Sequence, residues 1–201
     1  MKPPFEQTVL AFADAAATLL EQAELRLNDA ERVVLAIAGP VGAGKTLLAG
    51  QLSSCVVSTD AFLPDYDKVD VSQRDLPEHA DLEGLCRVLL KLMGGQAAQV
   101  PVWSFKTHRR EGYEAIEPAR IIVCEGIHAL HETVRGQAAI SIYVESPSQI
   151  RWRRWEHLEL TGQRGWGVEK AREYFENVAE PTYARFSKEY RSHAAFIVKN
   201  G

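Results

Sequence analysis

The feature that most constrains this 201-residue chain is the run Gly39-Pro40-Val41-Gly42-Ala43-Gly44-Lys45-Thr46, which matches the pattern G-x-x-x-x-G-K-[ST]. Ahead of it, Arg32 to Ala38 is a short β-rich apolar run, too continuous for a half-exposed strand and too short for a helix. It reads as a buried parallel strand. Behind it, Thr46 to Ser53 carries the residues of a helix, so the motif sits in the strand–turn–helix context it requires. Glycines let backbone N–H groups turn inward around phosphates, and a helix N-terminus adds a dipole that favours anions. In such a loop Lys45 reaches the β- and γ-phosphates of ATP and the Thr46 hydroxyl coordinates Mg²⁺.

Other short apolar runs at Cys55 to Thr59, Arg120 to Cys124, Ala139 to Val144 and Ala195 to Val198 have the same strand character. Helical patterns lie between several of them. Leu82, Leu85, Val88, Leu89 and Leu92 share a face that Gly94-Gly95 ends, while Arg153 to Leu160 and Val168 to Tyr190 supply two more helices. Their joint, Thr161 to Gly167, is glycine-rich and cheap to rearrange. From Phe5 to Asn28, Val9, Phe12, Ala16, Leu19, Leu20, Ala23 and Leu27 recur at helical spacing and predict one amphipathic N-terminal helix within residues 1–30. The alternation predicts an α/β fold: a doubly wound sheet of about five parallel strands flanked by helices, in a single domain.

Composition removes several function classes. The formal charge of −4, from 23 Lys and Arg against 27 Asp and Glu, gives no general attraction for nucleic acid or an anionic membrane. Cys55, Cys86 and Cys124 are odd in number and embedded in apolar runs, which argues against a disulfide framework. Met1 to Leu20 fits neither a signal nor a transit peptide, and no apolar run is long enough to span a bilayer. A cytoplasmic address is expected. Oligomeric state is left open, a homo-oligomer included. His128 and His131 have i, i+3 helical spacing without a third metal ligand nearby.

Two strand ends carry acids. Asp60 follows the Cys55–Thr59 strand at the carboxyl edge where open α/β sheets bind ligands, within reach of an acceptor as a general base. Glu125 ends Ile121-Ile122-Val123-Cys124 and is the candidate second metal-side group, although most such loops pair with Asp there. That assignment leans partly on a resemblance. From about Val33 to Asn200 the chain resembles the uridine kinase and phosphoribulokinase group of P-loop kinases. The likeness is carried by Ser58-Thr59-Asp60-Ala61-Phe62, by Asp75 to Asp81, by Val100 to His108 with Pro118-Ala119-Arg120 and Glu125-Gly126-Ile127, and by Arg151 to Gly165.

The resemblance implies a kinase in which Asp60 takes the acceptor's proton, Asp75 holds a ribose, and Trp103 and His108 recognise a base by stacking and hydrogen bonding. It implies that residues 151–167 form a lid over the phosphates, with Arg154 and Arg164 aligning best with the lid arginines. Arg151, Arg153, Arg154 and Arg164 together are candidates to neutralise charge on the transferred phosphoryl group. Residues 63–117 form the acceptor side. The expected partners are therefore ATP with Mg²⁺ and a small-molecule acceptor, a nucleoside first. A sugar, a glycerate, or a vitamin precursor such as nicotinamide riboside or pantothenate is the alternative, and a regulatory nucleotide-binding module with slow hydrolysis is the rival from another class.

Overall fold

The computed structural model describes residues 6–201. A six-stranded, wholly parallel sheet has the order β1-β8-β7-β2-β6-β3, formed by β1 (Thr8–Ala11), β2 (Val33–Ala38), β3 (Cys55–Ser58), β6 (Ile121–Glu125), β7 (Ile140–Glu145) and β8 (Phe196–Lys199). A separate antiparallel pair, β4 (Ala98–Ser104) and β5 (Arg109–Ile116), stands on the acceptor side with a register shift between Val102 and Trp103. The helices are α1 (Phe12–Leu27), α2 (Lys45–Leu52), α3 (Leu82–Met93), α4 (Glu132–Arg135), α5 (Ser148–Leu160), α6 (Val168–Tyr174) and α7 (Glu180–Ser192). None is long and apolar enough to cross a membrane among the described residues.

Strand β2 is buried along its whole length, as a central parallel strand covered on both faces must be. Its side chains divide by alternation. Val33, Leu35 and Ile37 face a core with Leu19, Leu27, Leu48 and Ile142, under α1 and α2. Val34, Ala36 and Ala38 face the opposite core with Leu85, Leu89, Leu92, Ile122 and Tyr190, under α3 and α7. This period of two places the C-terminal ends of β2, β3 and β6 side by side, and the loops leaving those ends make the site.

Two expectations change. The sheet has six strands rather than about five because Thr8–Ala11 is an edge strand, not helix. It pairs with β8, and the Gln7 side chain fastens its entry by donating to the carbonyls of Arg191 and Ala194 at 2.7 and 2.8 Å. The helix begins only at Phe12; the Phe5 end of the expected helix lies outside the described residues. The stretch Val168 to Tyr190 is also not one helix. A π-helical turn, Phe175–Ala179, separates α6 from α7; such turns insert one residue into the helical ladder.

Candidate active site

The phosphate loop runs from β2 into α2. Gly44 stands at the helix N-cap with φ 100°, where a side chain's Cβ would lie 2.3 Å from Asn200 Nδ2, so the position demands glycine. Lys45 opens α2, is buried, and donates from Nζ to the Pro40 carbonyl at 2.9 Å. Burial lowers its pKa, opposed by the charges of Glu125 and Asp60. Thr46 Oγ1 donates to Glu125 Oε1 at 3.2 Å, which joins the loop to the end of β6. Burial raises the Glu125 pKa, with Lys45 opposing.

Asp60 sits in a 3₁₀ turn, Thr59–Phe62, that leaves β3. Its N–H donates to Ser58 Oγ at 3.2 Å, which caps the turn. Burial raises its pKa while Lys45 and Arg164 pull the other way. Asp60 lines a pocket with Asp75, Tyr66, Phe105, His108, Trp155, Arg164, Trp166 and Tyr174.

That pocket has aromatic walls. His108 stacks on Trp166 with ring centres 4.2 Å apart and planes 9° from parallel, and Tyr66 stacks on His108 at 5.5 Å. Arg164 lies over Phe105 at 4.4 Å and Trp155 at 4.6 Å, a flat cation between flat rings. Asp75 anchors the floor: Tyr66 Oη donates to Oδ1 at 2.7 Å and Tyr174 Oη to Oδ2 at 3.0 Å. His108 is the one described non-glycine residue with positive φ, 55°, the local strain that recurs at ligand sites. Burial and the Arg164 charge lower its pKa to about 4, so its imidazole is neutral at pH 7. The free space is about 50 Å³, too small for a sugar or nucleoside.

Several residues sit elsewhere than their sequence context suggests. Arg154 donates to the carbonyls of Gly42 and Ala43 at 3.0 and 3.4 Å and to Asn200 Oδ1 at 3.0 Å, bracing the phosphate loop from outside. Asn200 completes the brace by donating to the Ala43 carbonyl at 2.8 Å. Trp103 meets the edge of Tyr66 at 5.2 Å and does not line the pocket. Its buried Nε1 has no hydrogen-bond partner. His128 is not on a helix but in the turn after β6, 0% exposed, with Nε2 3.1 Å from the Asp75 carbonyl and Nδ1 3.3 Å from Tyr190 Oη. Because a carbonyl only accepts, Nε2 carries the proton. No group of three or more His, Cys, Asp or Glu suited to a metal occurs among the described residues.

Sequence reasoning missed Tyr66, Phe105, Trp155, Trp166 and Tyr174 as pocket residues. The Asp65 carboxylate, next to Tyr66, accepts from the Arg110 N–H at 2.9 Å and pins this loop to β5, a contact that no local sequence pattern announces. A larger cavity of about 630 Å³, between Glu78, Asp81, Glu132 and Glu189, shares no residue with the phosphate loop or the aromatic pocket.

Comparison with known proteins agrees with this geometry. The family model described as "Phosphoribulokinase / Uridine kinase family" matches residues 65–201. A uridine kinase of Lactobacillus johnsonii is 30% identical over 185 residues, covering 84% of this chain and 87% of that protein. Among solved structures, one from Silicibacter sp. TM1040, named for a fructose transport system kinase, superposes with a TM-score of 0.69 at 19% identity and covers 90% of this chain and 98% of its own. A possible uridine kinase from Bacillus stearothermophilus has a TM-score of 0.60 at 20% identity, covering 92% and 98%. Both show likeness of fold.

Proposed function

Because the chain belongs to the phosphoribulokinase/uridine kinase family, we propose that it transfers the γ-phosphate of ATP to a hydroxyl of a nucleoside-like acceptor, with a flat ring held against His108 and Trp166. The observation that carries this reading is the position of Asp60. It lines the aromatic pocket while lying within the fields of Lys45 and Arg164, where an acceptor hydroxyl and a γ-phosphate would meet.

In the proposed mechanism Asp60 accepts the acceptor's hydroxyl proton, or orients that hydroxyl for in-line attack. Lys45 exchanges its bond to the Pro40 carbonyl for the β- and γ-phosphate oxygens. Arg164 faces the transferred group from the lid and helps exclude water, which would otherwise compete for the phosphoryl group. Arg154 acts from behind by holding the Gly42 and Ala43 carbonyls outward, which leaves the loop N–H groups to face the phosphates. The Thr46–Glu125 oxygen pair suits Mg²⁺, which takes one or two protein oxygens and completes its shell with phosphate and water. When bound, the ion would neutralise negative charge on the phosphates.

Support for a nucleoside comes from the parallel His108–Trp166 faces, the neutral imidazole, which can both donate and accept, and Asp75, whose carboxylate suits ribose hydroxyls once its tyrosines yield. The test is ADP release with Mg²⁺ and ATP against uridine, cytidine, nicotinamide riboside, pantothenate, fructose and glycerate, beside Asp60→Asn. Turnover with a pyrimidine nucleoside that the variant abolishes supports the reading. Turnover with another acceptor alone keeps the mechanism and replaces the substrate, and no acceptor-dependent release moves the reading to a different substrate class or to a regulatory module.

A further inference from the structure

We propose that the buried Arg151–Glu180 pair is a positioning strut that ties the backbone of the phosphate loop to the helices carrying the acceptor wall. Arg151, on α5, is 5% exposed. Its Nη1 and Nη2 donate to Glu180 Oε1 and Oε2 at 2.5 and 2.6 Å, a bidentate fork. Nη1 also donates to the Val41 carbonyl at 3.2 Å, and Nε to the Ser146 carbonyl at 2.9 Å. One planar group thus joins the phosphate loop, the β7–α5 connection and the first residue of α7. Lysine lacks the fork and cannot make this junction.

Both ends of the strut border the acceptor pocket. Val41 and Ala179, the residue before Glu180, line it. Upstream of Ala179 the π-helical turn leads back to Tyr174, whose hydroxyl holds Asp75. Phe175, inside that turn, lies 5.6 Å beneath the Arg151 guanidinium. A continuous set of contacts therefore runs from the Val41 carbonyl through Arg151 and Glu180 to Tyr174 and Asp75. π-helical turns inside helices occur frequently at functional sites. A well-packed apolar pair is often at least as stable as a buried ion pair; the pair's value here is the direction it imposes on the loop carbonyl. Nucleotide on the loop and acceptor in the pocket then bias one shared arrangement of α6 and α7. The inference rests on the reading of residues 39–46 as the ATP site.

Hydrogen exchange of the full chain with and without Mg·ADP tests it without needing the acceptor. In the wild type, ADP should slow exchange across residues 168–182 by about tenfold. With Mg·ADP at saturating concentration for each protein, Glu180→Gln and Arg151→Lys should lose that protection. The double variant Arg151→Met with Glu180→Met leaves no unpaired charge; it should keep the melting temperature and still lose the protection, which separates positioning from stability. Protection retained in all three variants, or ADP binding by the wild type without protection, overturns the strut. A wild-type chain that binds no ADP overturns the nucleotide reading and the strut with it.

Discussion

The donor corner and the acceptor wall are built on opposite plans. Residues 39–46, the proposed ATP site, are contiguous and offer backbone N–H groups and one buried lysine, braced by Arg151, Arg154 and Asn200. The acceptor wall gathers Tyr66, Asp75, His108, Arg164, Trp166 and Tyr174 from distant parts of the chain. It acts through side-chain faces and a few hydroxyl and carboxylate contacts. A phosphate is the same object in every turnover, so a fixed backbone cradle suffices for it. An acceptor differs from enzyme to enzyme, and a surface of separable side chains can be altered one residue at a time.

The sharpest way to break the comparison is at the junction. Lys45→Ala and Asp60→Asn should each lower kcat by about 10³-fold, the first with weakened ADP affinity and the second with ADP affinity within about twofold. Titration calorimetry separates them, and an Asp60→Asn variant that loses ADP binding would place that residue on the donor side. Next, Trp166→Ala should raise the acceptor KM about 10- to 100-fold, the worth of one stacking contact, while the ATP KM stays within about twofold. Steady-state kinetics in both substrates gives the answer; a matched rise in both constants would merge the two regions.

A smaller effect concerns pH. Burial holds His108 to a pKa of about 4 and His128 to about 3, against about 6.5 unfolded. Between those limits the unfolded chain binds protons that the folded chain refuses, so stability is full above about pH 6.5 and falls as pH falls. The loss between pH 6.5 and pH 5 is about 2 kcal/mol per histidine. Urea midpoints should show it, and His128→Gln should remove about half of the slope. The smallest effect expected is from Trp103→Phe. It deletes a buried Nε1 that has no partner, so stability should change by less than about 1 kcal/mol and acceptor KM by less than about twofold; a large KM rise would put Trp103 back on the acceptor wall.

The same contrast explains what the sequence revealed. The phosphate loop was legible because its chemistry is contiguous, and Asp60 and Glu125 because each ends an apolar strand at the carboxyl edge of the sheet. The sheet core was legible from the buried runs at β2, β6 and β7. Strand β1 was not, since Val9 falls in step with the helical spacing of Phe12 and Ala16, and its apolar residues run without a break into the helix that follows. Tyr66, Phe105 and Tyr174 were hidden because only tertiary packing makes them neighbours, and a lone aromatic residue is most often core. The outward aim of Arg154 depends on Asn200, 46 residues further along, a relation no local pattern contains.

Gly165 comes so near the β4–β5 turn that an added Cβ would stand 2.3 Å from the Lys106 carbonyl oxygen. As part of the proposed lid, it would shut against its jamb with less than a methyl group to spare. A single carbon at position 165 would then act as a doorstop, holding the site ajar to water.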